Sequence, residues 1–111
     1  MQNYTQEQVK EIVREAVAAA QKATNDYIAQ HGGWDACGFA WVNIYNVKGN
    51  TRLGKMLKAA GVEQSYDRSF QIWNPSGHVT QSITAKEQGA RAAAEVFRQY
   101  GFSAYSNSRM D

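Results

Sequence analysis

A chain of 111 residues and 12.4 kDa has room for one domain, expected over residues 1–111. It is 43% hydrophobic and 20% charged, with 3 Trp, 6 Tyr and 4 Phe, a composition that excludes an intrinsically disordered chain. Twelve basic residues against ten acidic ones leave a net charge of +2, too balanced for a binder of long nucleic acid.

No apolar run approaches the roughly 18 residues of a membrane span. Met1 to Thr5 lacks the basic, apolar, small-residue progression of a signal peptide, so none is expected. Cys37 is the single cysteine, which excludes an internal disulfide and a Cys-rich zinc site and points to a reducing cytoplasm.

Val9, Ile12, Val13, Ala16, Val17, Ala20, Ala23, Tyr27 and Ile28 recur at three- and four-residue steps, the pattern of an amphipathic helix over about 6–30. Thr5 and Gln8 form its capping box, and Gly32-Gly33 stops it. Such a helix is roughly 37 Å long. A compact domain of this size has a radius of gyration of about 13 Å. The helix is therefore expected to overhang its own chain and to pack against a partner copy through Ala18, Ala19 and Ala20.

Gly38 to Asn46 reads as a strand rich in aromatic and β-branched residues. Alternation puts Ala40, Val42 and Ile44 on a core face and Phe39, Trp41, Asn43 and Tyr45 opposite, a mixture suited to a subunit interface or a ligand platform. Asn50 is expected to cap a short helix with Leu53, Met56, Leu57 and Ala60 inward, ending at Gly61. Ser69 to Asn74 is a second strand, Pro75-Ser76-Gly77 a turn, and His78 to Ser82 a third strand. Thr84 and Glu87 read as the capping box of a second long helix whose stripe is Ala90, Ala93, Ala94, Phe97 and Tyr100. Phe102 to Ser106 is a last short strand, with Arg109 and Asp111 just beyond it. The fold class is α+β: a small, mainly antiparallel sheet of about four strands, packed by a long N-terminal helix, a short helix and a long C-terminal helix.

Gly49-Asn50-Thr51-Arg52-Leu53-Gly54-Lys55 has the glycine and lysine spacing of a phosphate loop, but Met56 stands where Ser or Thr would hold magnesium. What remains is a basic helix start, or an anion held by Arg52 and Lys55. His78-Val79-Thr80 matches half of the two-histidine phosphoesterase signature, and the second half is missing because Gly32-Gly33 follows His31. Cys37, between Ala36 and Gly38, reads as a packed residue rather than a nucleophile. No nucleophile, base and stabiliser assemble, and neither a metal nor a cofactor is implied. The chain reads as a binder rather than an enzyme. Trp41, Tyr45 and Trp73 offer faces on which a base can stack. Gln71, Asn74, Gln81 and Ser82 offer edge hydrogen bonds, and Arg52, Lys55 and Arg109 offer charge for phosphate. Each aromatic among them can equally be core or dimer contact.

The segments Cys37-Gly38-Phe39-Ala40-Trp41-Val42, Leu53-Gly54-Lys55, Trp73-Asn74, Gln81-Ser82 with Lys86-Glu87 and Ala90, and Ser108-Arg109-Met110-Asp111 resemble a family of small tailed-phage proteins. The family is the Thoeris anti-defence one family, sponges that sequester immune signalling nucleotides. The resemblance spans residues 37–111. It implies non-catalytic sequestration of cyclic ADP-ribose variants or cyclic oligonucleotides in the cytoplasm of an infected bacterium. It also implies homodimers, assembled further into hexamers, with pockets near the subunit boundary. Trp41, Trp73, Gln81, Arg109 and Asp111 lie in the resembling segments and have the chemistry such a pocket needs. The alternatives are a cyclic-nucleotide-cleaving phosphoesterase and a protein-binding inhibitor of a host factor.

Overall fold

Thr5 accepts a hydrogen bond from the Gln8 amide, and the Gln8 side chain returns the contact to the Thr5 amide, so the capping box starts helix α1 (Gln6–His31) as its sequence predicts. The computed structural model describes residues 3–80 and 82–111. Gly32, at φ 78°, ends α1 in a backbone region that glycine enters without strain. Val9, Ile12, Ala16, Ala20 and Thr24 form the buried stripe of α1, packed along α3 (Ile83–Gln99). At the crossing a Cβ on Gly89 would sit 2.5 Å from Thr24 Oγ1, and the Thr24 hydroxyl donates to the Ala85 carbonyl at 2.8 Å. The small side chains of α3 thus let the two helix backbones approach closely.

Within one chain, α1 packs along α3 rather than standing clear of the molecule. The radius of gyration is 13.8 Å, and the molecule measures 41 × 25 × 18 Å, so its long dimension exceeds the roughly 39 Å of a 26-residue helix. Tyr4 secures the start of α1: its ring stacks on Phe102 and its hydroxyl donates to the Tyr100 carbonyl. Of the three alanines expected at a partner, Ala20 is buried against the chain's own α3, Ala19 is half-buried and Ala18 is exposed. Within one chain Val9, Ile12, Ala16 and Ala20 of the apolar stripe are buried, and Val13, Val17, Ala23, Tyr27 and Ile28 are half-buried.

The sheet contains β1 (Gly38–Tyr45), β2 (Glu63–Gln64), β3 (Phe70–Trp73) and β4 (Ser103–Met110), in the antiparallel order β2-β3-β1-β4. With α2 (Arg52–Ala59) between β1 and β2 and α3 between β3 and β4, two split β-α-β units interleave, a ferredoxin-like connectivity. The helices cover one face. There Ala40, Val42, Ile44, Phe70 and Ala104 meet Ala90, Ala93, Ala94 and Phe97, all at most 1% exposed. The expected α+β class and sheet are those observed.

Local corrections have local causes. Thr51, not Asn50, caps α2 by accepting from the Gly54 amide, and Ser82, not Thr84, caps α3 by accepting from the Ala85 amide. Residues 78–80 form a loop rather than a strand, with the Thr80 amide donating to His78 Nδ1. The described strand contact there is a single bridge between Cys37 and Ser82. Strand β4 runs to Met110, paired with Gly38, and the Asp111 amide donates to the Cys37 carbonyl. Arg109 is therefore in the sheet rather than beyond it, and Asp111 follows just past the end of β4.

Residues 65–69 join β2 to β3 around Asp67, whose carboxylate accepts from the Ser65 and Ser69 hydroxyls and from the Ser69 amide. These bonds favour the charged form and hold its pKa down to about 2. A lowered folded-state pKa contributes stability above the unfolded value of about 3.9, and that contribution fades as pH falls toward the folded value. Stability should drop between about pH 4 and pH 2 more steeply in the wild type than in Asp67→Asn. Acid-denaturation curves of the two check this; parallel curves would show that the loop does not hold the charge.

Candidate functional site: the open face of the sheet

The face of β1 turned away from the helices carries Phe39, Trp41, Asn43 and Tyr45 by strand alternation. Register then sets its neighbours: Trp41 lies between Trp73 of β3 and Asn107 of β4, Asn43 between Gln71 and Tyr105, and Phe39 beside Arg109. Trp41 and Trp73 rings lie 4.7 Å apart at 30°, and Phe39 meets Trp73 edge-on at 6.3 Å. Tyr45 and Tyr105 form a second pair at 6.1 Å. Phe39, Tyr45, Trp73 and Tyr105 remain 37%, 38%, 45% and 54% exposed, so no element of the chain covers this surface. Contiguous aromatic surface of this kind marks a site of interaction.

A polar layer fixes the rings. Asn43, 4% exposed, accepts from Trp41 Nε1 at 2.8 Å and from Asn107 Nδ2, and donates to Ser69 Oγ at 3.0 Å. Trp73 Nε1 donates to Gln71 Oε1 at 3.0 Å. The indole N–H groups are thus engaged along the strands, and the ring faces stay available. The Arg109 guanidinium lies 5.6 Å from the Phe39 centroid, and Lys86 Nζ lies 5.6 Å from the same ring while donating to the Gly38 carbonyl. Positive charge therefore borders the aromatic surface at one end.

The residues singled out in the sequence fall in different places. Trp41, Trp73 and Arg109 come together on the open face, and Asp111 follows at the end of β4. Asn74 sits at φ 42° in the turn after β3, its side chain donating to the His78 carbonyl. Ser82 is fully buried as the cap of α3. Its hydroxyl and that of Thr84 hold the exposed Asp35 carboxyl below its ordinary range. Gln81 lies outside the described residues. Arg52 and Lys55 start α2, at the opposite end of β1 from Arg109, so the set is not one pocket. The loop with phosphate-loop spacing is occupied by its own chain. The Thr51 amide donates to the Lys48 carbonyl, the Gly54 amide to Thr51 Oγ1 and the Lys55 amide to the Thr51 carbonyl. Gly54 is required by packing, because a Cβ there would lie 2.2 Å from the Lys48 carbonyl oxygen.

Tyr105, Asn107 and Lys86 were not among the expected site residues. The alternation Tyr105-x-Asn107-x-Arg109 carries the first two, but only with β4 extended past Ser106. Lys86 reaches the site from α3, which no local pattern reveals. Among the described residues no group of three or more His, Cys, Asp and Glu is placed to hold a metal ion. No protein-family model, curated protein or solved structure matches the chain.

Proposed function

We propose that this protein binds a signalling nucleotide on its open sheet face and sequesters it without cleaving it. The observation that carries the reading is the Trp41–Trp73 pair, on adjacent central strands of a helix-free face. Four-stranded sheets with aromatic residues on their central strands are a recurrent platform for stacking bases. A purine lies against Trp41 and Trp73, Arg109 pairs with phosphate, and the carboxamides of Gln71 and Asn107 meet base or ribose edges. None of these interactions needs an activated group.

The ligand class is a cyclic ADP-ribose variant or a cyclic oligonucleotide, and the setting is the cytoplasm of an infected bacterium, where sequestration opposes a host defence. These follow from the family resemblance of residues 37–111. Among the described residues no helix is long and apolar enough to cross a membrane. The homodimer, and the hexamer built from it, follow from the same resemblance, which puts the nucleotide pocket near the subunit boundary.

The test is incubation with cyclic ADP-ribose or a cyclic dinucleotide, followed by denaturation and mass spectrometry of the released ligand. Near-stoichiometric recovery of intact nucleotide is expected. Multiple turnovers abolished by His78→Ala would replace this reading with the phosphoesterase.

A further inference from the structure

Beyond Tyr45 the chain leaves the sheet through Asn46, Val47 and Lys48 and returns along α2. The loop between β2 and β3 lies at the same end, because both strands run antiparallel to their neighbours. Between these segments is an open concavity of about 950 Å³ lined by four cations, Lys48, Lys55, Lys58 and Arg68. Its remaining lining includes the carboxamides of Asn46, Asn50 and Gln64 and no carboxylate. Asp67, the nearest acid in sequence to Arg68, turns its carboxylate to Ser65 and Ser69. The ion pairs among the described residues lie elsewhere, on α1 and α3, so none neutralises these four. Setting the four aside leaves 8 basic residues against 10 acidic, so the rest of the chain is net negative. Four of the twelve basic residues thus share one hollow that no carboxylate lines, where like charges repel unless an anion lies between them.

We propose that this concavity is a second binding site, distinct from the sheet face, for a chain of linked phosphates. Three lysines supply compact charges with rotatable donors, which suit densely charged phosphate oxygens better than a planar carboxylate. The hollow exceeds a single phosphate, and cations on three separate segments can each meet a different phosphate of one chain. The amides of Thr51, Gly54 and Lys55 take no part, since they are already bonded within the loop. The lysine of the apparent phosphate-loop motif serves by its side chain alone.

The probe is inorganic tripolyphosphate, titrated calorimetrically at about 50 mM salt. Binding is expected, weakening as salt rises because the site is open to solvent. Lys55→Ser/Lys58→Ser should weaken it at least about 10-fold. Lys10→Ser/Lys22→Ser, which removes the same charge from exposed positions on α1, should leave it unchanged, as should Trp73→Ala. Circular dichroism confirms that each variant is folded. Absence of binding, equal losses in both lysine pairs, or binding of single-stranded RNA but not of tripolyphosphate would each overturn the proposal. The Trp73→Ala arm separates this outcome from failure of the sheet-face reading.

Discussion

Replacing Trp73 with alanine is expected to weaken nucleotide binding by about 5- to 150-fold, the range corresponding to about 1–3 kcal/mol for loss of one stacked base. The ring lies 45% exposed, against Trp41 and Phe39 and away from the core, so the melting temperature should change little. Trp73→Phe keeps an aromatic face and should restore part of the affinity. Fluorescence titration of the three proteins, with thermal melts beside it, separates the effect on binding from any effect on folding. Wild-type affinity in Trp73→Ala would move the ligand off this face.

Phe97→Ala should do the reverse. Phe97 is fully buried on α3, packs edge-to-face on Phe102 at 5.6 Å, and joins the helix layer to the sheet through Ile44 and Phe70 in one core. Deleting a buried phenyl ring costs about 3–5 kcal/mol through lost burial and an unfilled cavity. A domain of this kind has about 5–15 kcal/mol to lose, so a large share of the native state's margin disappears. Urea denaturation should show the midpoint falling, with the slope unchanged. Nucleotide affinity extrapolated to the folded fraction should stay near wild type, because Phe97 faces the opposite side of the sheet from Trp41.

The long helices were legible because their apolar spacing coincides with what each buries: Val9, Ile12, Ala16 and Ala20 of α1, and Ala90, Ala93, Ala94 and Phe97 of α3. The alternation of β1 was equally direct, since Ala40, Val42 and Ile44 face the core. Failures occurred where tertiary contacts decide. Strand β2 has two residues and no pattern, and it exists because β3 lies beside it. The last four residues of β4, Asn107 to Met110, are polar or exposed, and pairing with β1 rather than burial holds them as strand. His78-Val79-Thr80 has strand-forming residues, yet the His78 side chain takes the Thr80 amide and closes a loop. Of the site, the aromatic pair was legible from composition and alternation. Its borders were not, because Lys86 and Arg109 arrive from distant elements. The basic concavity was only half visible: Lys55 stood in a motif, while Lys48, Lys58 and Arg68 joined it through folding.

The indole N–H resonances of the three tryptophans test the central claim most directly, because Trp34 is an internal control. Trp41 and Trp73 share the open face, whereas Trp34 is 92% exposed in the segment after α1, beside Val79 and Thr80. On titration with cyclic ADP-ribose or a cyclic dinucleotide, followed by proton–nitrogen correlation spectra, the Trp41 and Trp73 signals should shift or broaden and saturate together. The Trp34 signal should stay in place. Shifts confined to Trp34, or binding that leaves all three indole signals unmoved, would contradict the assignment of the sheet face as the nucleotide site.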